Sequence, residues 1–280
     1  LENKQYDLSF IILTWNSEKY IEDCLQSIDT ITTLRTQIYV IDNGSRDHTL
    51  SVLEQMKNKL AHTRLEIIPL SSNQGTTISR NMGLKKACGN SKYICVLDSD
   101  TIVNEAAMVQ LVKILAADHT IGIVGPVLKG LDGSIQNSGR AIPTLSLKLM
   151  KVMPCKGLRE KGAQKEQIPK LQAVTDVGYL MSACWVMPSS LVEKIGLLDE
   201  NIFYAPEDVE YCMRAWQHGY RVCYAKDVSI IHVWQRLSRK KLFSKHNWEH
   251  LKGLFYLFHR YHCFFDKPNY IHYKSQGEQE

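Results

Sequence analysis

Asp98 and Asp100 stand one residue apart at the end of the apolar run Ile94 to Leu97, in the stretch YICVLDSDTIV. Like charges this close repel unless something positive lies between them. On a strand tip, two such carboxylates can meet one divalent cation, and hard oxygen ligands suit Mg²⁺ or Mn²⁺ carrying substrate phosphates. The same residues fit a polar turn in which Asp98 or Ser99 caps the next helix. Asp42-Asn43-Gly44-Ser45 also closes an apolar run. A carboxylate there can accept from a base or a ribose hydroxyl, and Asn-Gly is equally a turn signal. In Asn73-Gln74-Gly75 the glycine permits close backbone approach, and Arg80 can stack on a base or pair with phosphate. Glu207 and Asp208 open an amphipathic stretch. Acids suit a helix start, and one facing a crevice can act as a general base. His232, in SIIHVW, can complete a Mn²⁺ site beside carboxylates. Trp234 offers a flat face to a sugar ring.

The elements that must position these residues alternate. Leu8 to Asn16, Gln37 to Asp42, RLEIIPL and KYICVLD read as buried strands. Between them lie SEKYIEDCLQSI, with Ser17 as cap, RDHTLSVLEQMKNKL, and TTISRNMGLKKACG closed by Gly89. NEAAMVQLVKILAAD follows, capped by Asn104. Strand–helix alternation predicts an α/β fold with a mostly parallel central sheet and helices on both faces. Ligands then bind beyond the carboxyl ends of the strands, where the polar clusters around Asn16, Asp42, Asn73 and Asp98 fall. The second half predicts a smaller mixed sheet, with strands in IGIVGPVL, GSIQNSG and AVTDVGYLMSACWVM. Helices are expected in PSSLVEKIG and EDVEYCMRAWQHG, and strands in YRVCYA and VSIIHVW. The basic stretch Leu147 to Lys170, broken at Pro and Gly, reads as a mobile loop or insertion.

Bulk properties narrow the class. The chain has 280 residues, 44% hydrophobic and 22% charged, ordinary for a globular protein. No apolar run approaches the roughly 20 residues that span a bilayer, and no secretory signal is evident. The eight cysteines form no CxxC pair and read as reduced core thiols in a cytosolic protein. The net charge of +5 is uneven, with Lys, Arg and aromatics concentrated from Arg236 onward. That tail reads as helical: packed on the domain, or lying at an anionic membrane surface. No recognised motif supports nucleic-acid binding. The absence of GxGxxG after the first strand and of GxxxxGK[ST] removes the main support for dehydrogenase and P-loop readings.

In order, FIILTWNSEKYIEDCLQSI, VIDNGSRDHT, NQGTTISRNMG, VLDSDT, SACWVMPSSLVEKIGLLDENIFYAPEDVEYCMRAWQHGYRV and IIHVW resemble family 2 glycosyltransferases of the GT-A fold, the rhamnosyltransferase-type subset in particular. The resemblance implies a GT-A domain over 1–235, with a nucleotide-binding half to about 125 and an acceptor-binding half after it. A basic C-terminal helical extension would occupy 236–280. It implies inverting transfer from a UDP- or dTDP-sugar to a glycan or lipid-linked glycan, in cell-surface polysaccharide synthesis, with Mn²⁺ or Mg²⁺. Thr14, Asn16 and Asp42 would line the base and ribose site, with Asn73, Gly75, Arg80 and Ser99 also holding the nucleotide. Asp98 and Asp100 would bind ribose and metal, and His232 would add a ligand. Asp208, beside Glu207, would be the base, and Trp185, Tyr204 and Trp234 would contact sugar or acceptor. The expected location is cytoplasmic, with peripheral contact at the inner face of the membrane. The rival readings are a sugar-phosphate nucleotidyltransferase, a non-catalytic nucleotide-sugar scaffold, and a basic RNA-binding module.

Overall fold

The computed structural model describes residues 4–169, 172–233 and 245–273. Its first half alternates as the sequence predicts. β1 (Tyr6–Thr14), α1 (Ile21–Asp29), β2 (Thr36–Asp42), α2 (Thr49–Lys59), β3 (Arg64–Pro69), α3 (Thr76–Asn90) and β4 (Ser91–Asp98) follow one another, then β5 (Thr101–Ile102), α4 (Glu105–Ala117) and β6 (Ile121–Lys129). The second half holds β7 (Ile135–Gln136), β8 (Gly139–Arg140), α5 (Leu145–Val152), α6 (Lys156–Lys165), β9 (Val174–Asp176), β10 (Tyr179–Leu180) and β11 (Cys184–Pro188). It continues with α7 (Ser189–Ile195), α8 (Glu207–Gln217), β12 (Arg221–His232) and α9 (Lys245–Tyr261).

One sheet joins both halves in the order β3-β2-β1-β4-β11-β6-β12-β5, with β7 on β6 and β9 on β12. β3, β2, β1 and β4 run parallel, β11 is antiparallel to β4 and β6, and β12 is parallel to β6. The expected division near residue 125 falls inside β6, and β11 inserts between β4 and β6, so the two halves share a sheet. β8 and β10 form a separate antiparallel pair.

Alternating side chains feed two cores, as the two faces of a strand require. Phe10 and Ile12 join Leu25, Leu53 and Met108 from α1, α2 and α4. Ile11 joins Leu84, Leu191, Tyr211 and Leu257 from α3, α7, α8 and α9. The C-terminal helix is thus part of the main core, and Gly253 lets it close on Ala205 and Pro206.

Several local expectations are corrected. Leu147 to Lys170 is not a loop: α5, capped by the Thr144 hydroxyl, pairs with α6. Gly89 lies inside α3, and Ser17 supplies a carbonyl to the Tyr20 and Ile21 amides rather than a side-chain cap. The two strands expected in YRVCYA and VSIIHVW are one, β12, irregular between Ala225 and Ser229. Asn104 does cap α4, accepting from the Ala107 amide. All eight cysteines are free, and six are buried.

Candidate active site

Parallel register brings the site together. Thr14 is opposite Asp42 and Leu13 opposite Asp98, so the carboxyl ends of β2, β1 and β4 lie side by side. The chain turns at Ser99 and Asp100 into β5, which pairs with the end of β12 and sets His232 opposite Thr101. The Val233 amide donates to the Asp100 carbonyl at 2.9 Å. Thr101 and His232, 131 residues apart in sequence, thereby meet.

His232 Nε2 lies 3.4 Å from Asp100 Oδ1 and 4.0 Å from Asp98 Oδ2. One donor atom from each of the three residues falls within 4.8 Å of the others. Gln136 orients the imidazole. Its amide nitrogen donates to the His232 carbonyl at 2.8 Å, and its Oε1 lies 2.6 Å from His232 Nδ1. Oε1 can only accept, so Nδ1 carries a proton and Nε2 is turned to the carboxylates. Two carboxylates and an imidazole held by its far nitrogen fit Mn²⁺ or Mg²⁺ as a donor set. Burial lifts the Asp98 pKa, and the Asp100 charge adds to that against Arg80 and His232. Burial opposes charge on His232, but the Asp100 hydrogen bond and the two carboxylate charges outweigh it, and its pKa rises. Sequence reasoning passed over Gln136; a Gln has no spacing signal until its partner strand is known.

Arg80, almost fully buried, joins this cluster to the next. One guanidinium nitrogen reaches Asp98 at 2.7 Å and another Glu207 at 2.9 Å. Ser182 donates to the same Glu207 oxygen at 3.1 Å. Arg80 was expected to hold nucleotide; here its two terminal nitrogens engage the two carboxylates and fix them. Burial raises the Glu207 pKa, and the neighbouring Asp208 charge adds to this while Arg80 opposes it. Asp208 is half-buried and accepts from the Val209 amide at 2.8 Å. Burial raises its pKa too, against that amide and the charges of Arg80, Arg140 and Lys148. Glu207 therefore faces the Arg80–Asp98 cluster, while Asp208 also feels the cations of the second half. Tyr204, 38% exposed, lies within electrostatic range of Glu207, Asp98 and Asp208.

The remaining expected residues divide. Asn16 and Asn73 are exposed at strand ends. Asn16 accepts from the Arg46 amide at 2.9 Å and Asn73 from the Gly75 amide at 2.9 Å, which fixes the loops they stand on. Ser99 meets the Ser17 hydroxyl at 2.9 Å. Asp42 and Thr14 are fully buried. Thr14 and the Ser45 hydroxyl donate to Asp42 Oδ1 and the Ser45 amide to Oδ2, which ties the turn after β2 to β1. Trp185 is a further correction. It is fully buried, donates to the Leu180 carbonyl and stacks on Tyr211, so its ring cannot reach a sugar. Asn43, read from the sequence as part of a turn, ties the loop down through Asn73, the Gln74 amide and Ser79. Trp234 lies outside the described residues.

Polar residues gathered at the strand ends, a DxD turn and an α8 that opens on two acids match the expected GT-A glycosyltransferase architecture. The profile of the family described as "Glycosyltransferase like family 2" matches residues 5–250, and the chain belongs to that family. It is 24% identical over 237 residues to the poly(ribitol-phosphate) beta-N-acetylglucosaminyltransferase TarS of Staphylococcus aureus, covering 81% of this chain and 35% of that protein. A low-salt glycan biosynthesis hexosyltransferase of Haloferax volcanii is 24% identical over 231 residues, covering 81% of this chain and 67% of that one. The chain thus spans about a third of the staphylococcal enzyme's length. Among solved structures, a mannosyltransferase from Pyrobaculum calidifontis in complex with GDP-Man and Mn²⁺ superposes with a TM-score of 0.63 at 18% identity, over 91% of this chain and 65% of that one.

Proposed function

We propose that the chain transfers a sugar, with inversion, from a UDP- or dTDP-sugar to a hydroxyl of a saccharide or lipid-linked glycan, in cell-surface polysaccharide synthesis. The observation that carries this reading is the bridge made by Arg80. It ties the strand-end carboxylate Asp98, part of a cation-type donor set, to the acid pair at the start of α8. One charge-stabilising centre and one base at adjoining positions are what displacement at an anomeric carbon needs.

Asp98, Asp100 and His232 would hold Mn²⁺ or Mg²⁺, which when bound offsets negative charge on a departing diphosphate. Asp208 takes the proton of the acceptor hydroxyl as its oxygen attacks the anomeric carbon from the face opposite the leaving group. The C–O bond to the diphosphate breaks as the new one forms, which inverts the centre. Glu207, locked by Arg80 and Ser182, holds the first turn of α8 and hence the base in place. Exposed Asn16 and Asn73 border the nucleotide side. The staphylococcal relative has been solved in complex with UDP-GlcNAc, which favours a uridine donor. Peripheral membrane contact belongs to the same reading: Trp248, Leu251 and Phe255 are exposed at helical spacing on α9.

Product analysis tests the reaction class. Incubation with radiolabelled UDP- and dTDP-sugars should release UDP or dTDP and yield a glycoside of inverted configuration by NMR. Release of pyrophosphate from a sugar phosphate and a nucleoside triphosphate would replace the proposal with a nucleotidyltransferase.

A further inference from the structure

Besides Arg80, Asp208 feels two cations of the second half, Arg140 and Lys148. β8 and β10 pair so that Arg140 lies directly opposite Tyr179. Arg140 Nε donates to the Asn137 carbonyl at 2.9 Å, and its charge acts on the Tyr179 hydroxyl. α5 adds Lys148 and Lys151, one helical turn apart. Both turn toward Glu166, the carboxylate closest to them. Lys151 takes it at 2.5 Å, while Lys148 stops at 4.0 Å, beyond hydrogen-bond reach. Backbone bonds lock the group: the Ala141 amide donates to the Glu166 carbonyl at 3.1 Å, and Arg140 bridges to Gln167. Among the described residues, the Glu166 Oε1 atom that faces Lys148 has no hydrogen-bond partner.

The group carries one positive charge in excess. Arg140, Lys148 and Lys151 meet one firmly paired carboxylate, Glu166, and the half-buried Asp208. Burial pushes the Lys148 pKa down, with Lys151 and Arg140 adding to the effect against Glu166 and Asp208. His250, from α9, feels Lys148 in the same way, its pKa lowered first by burial and then by that charge. A half-buried ammonium without a close hydrogen-bond acceptor is unfavourable unless an anion joins it. The group is half-buried, and its charges act on the carboxylate assigned as base.

We propose that Arg140 and Lys148 form a subsite for a phosphate group carried by the acceptor, adjoining Asp208. The inference rests on the transferase reading, in which Asp208 marks the acceptor side. It narrows the acceptor class from glycans in general to phosphate-bearing ones. The phosphate can belong to a lipid-linked diphosphate or to a polyol-phosphate chain. A guanidinium and an ammonium recognise either by charge-assisted hydrogen bonds. Fixing the phosphate beside the base would set the acceptor hydroxyl for attack.

Titration calorimetry on the full chain tests this. Three probes are used in EDTA without nucleotide: inorganic phosphate, an alkyl diphosphate and a short ribitol-phosphate oligomer. UDP with Mn²⁺ is titrated separately. At least one probe should bind, weakened about tenfold or more by Arg140→Gln or Lys148→Gln and retained by Lys148→Arg. Stronger binding of the alkyl diphosphate identifies a lipid-linked acceptor; stronger binding of the oligomer identifies a polyol-phosphate chain. Binding of no probe, or equal binding by wild type and both Gln variants, overturns the subsite even when UDP binds normally. Failure of UDP to bind with Mn²⁺ counts against the transferase reading, and the phosphate titrations are judged without it. Should Lys148→Gln melt before assay temperature, Arg140→Gln decides alone.

Discussion

At the scale of single residues, Asp208 and Gln136 carry the sharpest expectations. Asp208→Asn keeps the shape of the side chain and removes the base. kcat should fall by about 10²–10⁴-fold, with UDP affinity unchanged by calorimetry. A similar loss of UDP binding would show that Asp208 serves the donor instead. Its raised pKa gives a sign to the pH profile. The base works ionised, and an upward shift means it protonates at higher pH than an ordinary carboxylate. At saturating Mn²⁺, the acid limb of kcat should therefore lie above the usual carboxylate range of about 4. Arg140→Gln should move it higher still, because the arginine charge holds the pKa down. Gln136→Leu leaves the His232 ring without its orienting acceptor. Mn²⁺ affinity should drop about 10–100-fold, as is typical when such an outer partner is lost; unchanged Mn²⁺ affinity by calorimetry would remove His232 from the donor set.

At the scale of elements, the site depends on joints that side-chain chemistry alone does not reveal. Arg80 is the joint between β4 and α8. Arg80→Met would leave Glu207 buried without its cation, at a cost of about 3–5 kcal/mol, read as a lowered denaturation midpoint. A change under about 1 kcal/mol would show that Glu207 is relieved by protonation alone. Gly75 has a left-handed φ of 86°, and a Cβ there would collide with the Phe203 carbonyl and ring. Gly75→Ala should thus lower Tm and loosen the loop that carries Asn73. The contrast with the sequence is instructive here. Alternation fixed the first-half strands because buried parallel strands are continuous apolar runs, and the polar residues at their ends revealed the crevice. Trp185 misled because an aromatic after SAC looks the same in sequence whether it faces ligand or core; only the β11 register against β4 settles which face it takes. The Arg80 ion pair was hidden as well, since the carboxylate Glu207 that engages it lies 127 residues away. The α5–α6 pair was hidden by Pro154, between the two short helices, and by Gly157, in the first turn of α6, which interrupt the pattern instead of dissolving it.

For the whole molecule, one sheet runs through both halves of the chain, and α9 closes over the start of α8. Among the described residues no helix is long and apolar enough to cross a membrane, so membrane contact would have to come from a surface. The exposed Trp248, Leu251 and Phe255 supply an apolar stripe on α9. Flotation with anionic vesicles should recover the protein, and Trp248→Ser with Phe255→Ser should abolish it. No flotation of the wild type would confine α9 to its packing role. The account as a whole turns on whether the β4 tip, joined to β12, is a cation-dependent nucleotide site. Calorimetry with UDP, dTDP and GDP, each with and without Mn²⁺, on wild type and Asp100→Ala, asks this most directly. UDP or dTDP should bind only with Mn²⁺, and that binding should be lost in a folded Asp100→Ala protein. Nucleotide binding indifferent to both metal and Asp100, or a preference for GDP, would contradict it.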